Sequence, residues 1–491
     1  MNGEDLTIPS RESRSSPQDQ RALVAIDLGA ESCRVSLLRW SSDRPHVELI
    51  HRFPNHAIDR PDGLRWDLHH IVRELERGLA ACAAIATEGI RSIAVDGWAV
   101  DYIRLDSQNN PVADPFCYRD QRTLTSEPLL HQRLSAERMR DITGIQLLRI
   151  NTAYQLFADS ADLRNLRWLN LPEYVLHRLG ARPVSEATNA SHTQLLSLDG
   201  QWSPDIFAAI GAPLESAPEL VQPGTDLGPL SGPLAHLPAF ARTRLIAPAC
   251  HDTASAIASI SDTGDDWAYI SSGTWSLVGT VLTSPINSQL ARSENFTNLR
   301  GVDGTFCFHK NVNGMWLLRQ CLEAWNHPAG RANKEPLTVT HLIHEAAGLA
   351  PPGYALDVDD PDLLLPGHMP DRINAQLRRR NLPVLDPTPS HAPEFASFLF
   401  HSLAARYAEV LRNVAIITGK RLSRIYIMGG GSQNELLNRL TAEATRLKVL
   451  PVGTECSTLG NFAVQLASLE PPESTNGRPT AAWAACLHRS N

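Results

Sequence analysis

An apolar run at 22–26 gives way to a polar turn, Asp27-Leu28-Gly29-Ala30-Glu31-Ser32-Cys33-Arg34, and then to apolar stretches at 35–40 and 47–53. Short runs of this kind, bounded by turn residues, predict three strands. The period changes at 68–86. There Ile71, Leu75, Leu79 and Cys82 recur at helical spacing, which predicts a helix with one apolar face. The apolar run at 90–95 predicts a fourth, buried strand, closing in Asp96-Gly97-Trp98-Ala99-Val100-Asp101.

The middle of the chain is less regular. A helix is predicted over 163–179, containing Trp168 and Tyr174, and 186–191 is small and polar. From 212 to 248 prolines recur at 213, 218, 223, 229, 233 and 238, so no long helix fits there. A domain end is expected near 245. The apolar 245–247 then predicts a strand and 254–260 a helix, with His251-Asp252-Thr253 at the junction. A second hairpin follows: 267–270, the turn Ser271-Ser272-Gly273-Thr274, and 275–282. Later, 306–310 leads into Asn311, and 315–325 and 396–418 predict helices, the second with Leu399, Leu403, Tyr407 and Leu411 on its core face. The strand 425–428 runs into Gly429-Gly430-Gly431-Ser432-Gln433-Asn434 and the helix 435–445. The strand 448–452 closes the sheet, and a last helix starts at 457–461.

With 491 residues, 43% of them hydrophobic, the chain is long enough for two or three domains with full cores. A net charge of −8 argues against a broad nucleic-acid surface. Eight cysteines without a C-x-x-C pair or metal-ligand spacing read as buried, reduced thiols of a cytoplasmic protein. No apolar run is long enough to span a membrane. Residues 1–20 are polar, lack a signal core and read as a disordered tail. Domains are then expected at 21–245 and 246–491.

Consecutive amides in the first hairpin turn can wrap a phosphate, with Asp27 facing the same spot and holding Mg²⁺ through water. Asp-x-Gly is equally an ordinary hairpin turn. Asp252 meets the positive end of a helix dipole, where it or Thr253 would also serve simply as an N-cap. The triple glycine lets backbone approach a flat ring, or is only a flexible turn. Tyr118-Arg119-Asp120-Gln121-Arg122-Thr123 offers polar groups to a polyol, or forms a solvated loop.

The predicted β-β-β-α-β opening is that of a ribonuclease-H-like unit rather than of a β-α-β dinucleotide-binding domain. Taken in order, Asp27-Leu28-Gly29, His251-Asp252-Thr253-Ala254-Ser255, Ser272-Gly273-Thr274-Trp275 and Gly429-Gly430-Gly431 resemble the motifs of FGGY-type carbohydrate kinases. The resemblance covers residues 22–470. Within the family the chain is most similar to the kinases of L-rhamnulose, on Asp96-Gly97-Trp98-Ala99-Val100-Asp101, Tyr118-Arg119-Asp120, Gly144-Ile145-Gln146, the Asp252 stretch, and Lys310-Asn311 before Trp316-Leu317-Leu318.

The resemblance implies an α/β protein of two actin-like domains with the active site in the cleft between them. It implies an ATP-dependent transfer of the γ-phosphoryl group to the primary hydroxyl of a ketose, with MgATP and the sugar as small-molecule partners. Asp252 matches the catalytic base. Trp98, Ala99, Asp101, His251, Thr253 and Asn311 match the sugar side. Ala30, Glu31, Ser32, Cys33 and Arg34 match the first phosphate loop, Thr274 the second, and Arg319 and Gly430 the nucleotide site, with Asp27 toward Mg²⁺. Three departures stand out. Ala99 occupies a position where glycine is usual, Arg319 one where glutamine is usual, and Glu31 and Cys33 replace small residues. Kinases of L-fuculose, ribulose or xylulose share the nucleotide motifs, and a non-catalytic sugar or nucleotide sensor would share the scaffold. Asp252 is expected to be ionised at neutral pH, as an ordinary aspartate is.

Overall fold

The computed structural model describes residues 16–159, 167–327, 335–365, 367–471 and 478–488. Two six-stranded mixed sheets organise them. In the first, the strand order is Asp226–Pro229, Arg244–Ile246, Ile90–Gly97, Ala22–Leu28, Ser32–Ser41, Arg44–Pro54. Ala22–Leu28 pairs antiparallel with its hairpin partner and parallel with Ile90–Gly97, which pairs parallel with Arg244–Ile246. The second sheet repeats this plan. Trp267–Ser272 pairs antiparallel with Trp275–Leu282 and parallel with Arg424–Met428.

The strands form where short apolar runs meet turn residues, and each central strand is buried on both faces. The helix Leu68–Ile85 buries Ile71, Leu75, Leu79 and Cys82, the face its spacing predicts, and Asp67 caps it by accepting from the His70 amide. The second sheet packs against Ala392–Thr418, whose buried side includes Leu399, Leu403, Tyr407 and Leu411.

Four details differ from expectation. Trp168 lies on a short strand, Arg167–Asn170, paired with Tyr102–Leu105, and the helix begins only at Leu171. Pro172 is the reason: it is tolerated in a first helical turn but not inside a helix. The start of the predicted helix, 163–166, lies outside the described residues. A small hairpin, Ala57–Arg60 with Gly63–Trp66, intervenes before the first helix. The strand entering Asn311 runs through it, as Phe306–Asn313. Residues 1–15 of the expected tail lie outside the described residues, but the amides of Gln18 and Asp19 donate to Glu470, at 2.7 and 3.0 Å.

The helix Cys456–Leu469 joins the two halves. Leu459, Phe462, Ala463 and Leu466 pack on Leu23, Ala25 and Leu38 of the first sheet. Its Gln465 accepts from Ser92 Oγ at 2.6 Å and donates to the Val24 carbonyl at 3.1 Å. Gly460 lets this helix press against Asp252–Ala258, since a Cβ there would collide with the Ser255 carbonyl. All eight cysteines are free and buried. Among the described residues no helix is long and apolar enough to cross a membrane.

Candidate active site

Three neighbouring parallel strands of the first sheet each lead to an aspartate at their carboxyl ends. Asp27 and Asp96 are direct register partners. The third strand, Arg244–Ile246, runs on to Asp252. There the Gly97 amide donates to the Cys250 carbonyl at 2.9 Å, and Gly97 bridges to His251. Carboxyl ends of parallel strands are where open α/β sheets bind ligands.

Asp252 is the first residue of its helix, and the N-cap is His251, which makes no side-chain cap bond. The Asp252 carboxylate accepts from Thr253 Oγ1 at 3.1 Å and borders a cavity of about 400 Å³. The Asp252 side chain stays 35% exposed, and its partial desolvation, then the charge of Asp27, push its pKa up to about 7. This corrects the expectation of an ordinary aspartate: the dipole of a two-turn helix is outweighed by desolvation and a like charge.

The Asp252 turn is braced from behind. Buried Glu186 accepts from the Cys250 amide at 2.8 Å and from Thr188 Oγ1 at 2.5 Å, and Thr188 Oγ1 in turn accepts from the His251 amide at 3.2 Å. Glu173 holds Glu186 by accepting from its amide at 3.1 Å. Burial raises both carboxyls, Glu186 to about 8 and Glu173 to about 7.

The cavity brings together most of the site residues expected from the sequence. Ala30, Glu31, Ser32, Arg34, Trp98, Ala99, His251, Asp252, Thr253, Thr274 and Asn311 all line it. Asp27 is tied to Arg34 Nη1 at 2.9 Å and to Ser457 Oγ at 2.7 Å. His251 is held well below its usual pKa by burial and by His192, so its imidazole is neutral, and its Nδ1 is buried without a hydrogen-bond partner. Asn311 is oriented by Gln146, whose Oε1 accepts from the Asn311 amide at 3.1 Å and from Nδ2 at 2.8 Å.

Other expected residues lie elsewhere. Asp101 is fully buried behind the cavity wall, where its carboxylate accepts from Trp66 Nε1, Trp98 Nε1, the Tyr118 amide and Gln155 Nε2 at 2.6–3.1 Å. It positions Trp98 and Tyr118. Cys33 is buried beneath the turn, with burial raising its thiol pKa. Within the 118–123 stretch, Tyr118 and Arg119 face the cavity. Asp120 accepts from the Leu64 amide and Arg122 pairs with Asp159 at 2.6 Å. In the triple glycine, a Cβ on Gly429 or Gly431 would press on Ser272, whereas one on Gly430 would meet nothing within 4 Å. Arg319 bonds to Glu31 and Thr274 beside the cavity.

Residues 22–258 match the N-terminal domain, and residues 268–469 the C-terminal domain, of the FGGY family of carbohydrate kinases. The chain belongs to this family. A rhamnulokinase of Pectobacterium carotovorum is 36% identical over 456 residues, covering 91% of this chain and 88% of that protein. A rhamnulokinase of Enterococcus faecalis is 35% identical over 464 residues, covering 91% and 89%. Among solved structures, a gluconate kinase from Lactobacillus acidophilus superposes with a TM-score of 0.73 at 14% identity, over 96% of each chain. The fold is the two-domain, actin-like fold of sugar kinases.

An FGGY kinase uses ATP and a divalent cation, and the strand-end carboxylates fit a hard cation. Asp96 is fully buried, its Oδ2 accepts from Asn461 at 2.6 Å, and its Oδ1 is an acceptor without a partner. Among the described residues no cluster of His, Cys, Asp and Glu cages a metal unaided. Several residues in or around this cavity were given no role in the sequence. Asp96 repeats the signal of Asp27, an apolar strand ending in aspartate. His192, which packs on His251 with ring centroids 4.8 Å apart, carries no local signal of a role, and Gln146 stands only within the Gly144-Ile145-Gln146 stretch, with no role given to it.

Proposed function

We propose that this kinase transfers the γ-phosphoryl group of ATP to the primary hydroxyl of L-rhamnulose, giving L-rhamnulose 1-phosphate. The observation that carries the reading is Asp252, set at the start of a helix on the cavity wall beside a neutral imidazole and Asn311. The rhamnulokinase relatives support the choice of sugar. Two domains meeting near residue 245, each built on one six-stranded sheet, would place sugar and nucleotide in the cleft between them. The buried free thiols support a reducing compartment such as the cytoplasm.

In this reading the sugar lies among Trp98, Ala99, His251, Thr253 and Asn311. Asp252 accepts the proton of the attacking hydroxyl as the new P–O bond forms, which requires its ionised form. The two hairpin turns and Arg34, Arg52 and Arg119 offer amides and positive charge to the phosphates, where phosphoryl transfer depends on positioning and charge neutralisation. Asp27 and Asp96 would hold Mg²⁺, which supplies further neutralisation when bound. Gly430 presents bare backbone to the adenosine.

Coupled ADP release against L-rhamnulose, L-fuculose, D-ribulose and D-xylulose tests the assignment. The highest kcat/KM is expected for L-rhamnulose. Preference for another ketose would reassign the substrate, and ADP release with none would leave the sensor reading. Ala99 is the residue to examine in the first case, because its methyl group lies in the sugar wall.

A further inference from the structure

Glu31 lies in the first hairpin turn, and Arg319 on the Trp316–Trp325 helix of the other half of the molecule. Across the cavity mouth, the Glu31 carboxylate accepts from Arg319 Nη1, and from Thr274 Oγ1 at 3.3 Å. Arg319 Nη2 donates to Thr274 Oγ1 at 3.1 Å, which closes a ring of three side chains. These contacts join the first hairpin turn to the second.

Both charged residues depart from the resembled pattern, and they meet each other. A carboxylate at the lip of an amide-lined phosphate turn opposes a polyphosphate, and a guanidinium bonded to it cancels that charge locally. The pair is also placed to exchange. The side chains are 51% and 36% exposed, so the bridge is weak and screened. Only two of the guanidinium's five N–H donors are used in the ring.

We propose that Glu31 and Arg319 act as one unit, an interdomain ion pair that spans the nucleotide mouth and allows the first phosphate turn to carry an acidic residue. Arg319 neutralises Glu31, so the fitness of either residue for nucleotide depends on the other. The inference rests on the reading of this cavity as the nucleotide site.

The test is calorimetric titration of Mg·AMP-PNP, without sugar, into wild type, Glu31→Gln, Arg319→Gln and the double variant. Arg319→Gln leaves Glu31 uncompensated and is expected to weaken binding about tenfold, the scale of a charge-assisted contact. Glu31→Gln alone is expected to stay within about threefold of wild type or to tighten. The double variant is expected to recover to within about threefold of wild type. AMP, with one phosphate, should show a smaller loss in Arg319→Gln, and L-rhamnulose affinity should be the same in all four proteins. A double variant as weak as Arg319→Gln would overturn the proposal, since Arg319 would then act alone. So would an Arg319→Gln protein that binds like wild type. Wild type that binds no AMP-PNP would overturn the nucleotide reading together with the proposal. Wild-type binding without rescue would overturn the proposal only.

Discussion

The charge of Asp27 acts on Asp252 across the strand ends and, after desolvation, is the main reason that the Asp252 pKa stands at about 7. Asp27 is itself held in place by Arg34 and Ser457. Two carboxylates from distant parts of the chain are therefore coupled at the proposed reaction centre.

This coupling sets a pH dependence. In the proposed mechanism the base works ionised, so kcat/KM for the ketose is expected to rise with pH through about 7 and to level off above it. The nearby histidines do not produce this limb, because burial holds His192 down at about 4 and His251 well below its usual value. Asp27→Asn removes a like charge, so in the metal-free protein the Asp252 proton should come off at lower pH; the same change removes a proposed Mg²⁺ ligand and should lower kcat. A profile flat from pH 5.5 to 8.5 would show that no group titrating near 7 controls the reaction. Linkage gives the matching sign for stability. The folded state holds the Asp252 proton more tightly than the unfolded chain, so this residue's contribution to stability is lost as pH climbs from about 4 to about 7.

Gly430→Val should leave the fold intact, because a Cβ there meets open space and the glycine's φ is not left-handed. In the proposed nucleotide site the branched side chain would stand where the adenosine approaches. KM for ATP is expected to rise about tenfold or more while KM for the sugar holds. An unchanged KM for ATP in the folded variant would reduce the triple glycine to a turn.

Gln146→Ala removes the acceptor that orients Asn311. Loss of one buried hydrogen-bond partner costs about 1 kcal/mol, so KM for the ketose should rise several-fold, with KM for ATP unchanged. Equal effects on both substrates would point to a general disturbance of the fold.

Much of this was legible in the sequence where the signal is local. Apolar runs broken by Gly-containing turns gave both hairpins, and spacing gave the core faces of the long helices. Pro172 held the local evidence against a helix through Trp168. The rest depends on distant parts of the chain. Asp101 reads as a sugar ligand until Trp66, Trp98 and Gln155 are seen to consume its carboxylate. Glu31 and Arg319 each read as an oddity until the fold pairs them. The Asp252 pKa is illegible in Ala249-Cys250-His251-Asp252, because desolvation and Asp27 determine it.

Asp252→Asn tests the central claim most directly. Asparagine keeps the size and much of the hydrogen bonding but cannot take the proton, and His251, not Asp252, is the N-cap. Measured on the folded variant at saturating ATP and L-rhamnulose, kcat is expected to fall about 10²–10⁴-fold, with both substrates still bound. A kcat within a few-fold of wild type would contradict the assignment and remove Asp252 from the chemistry.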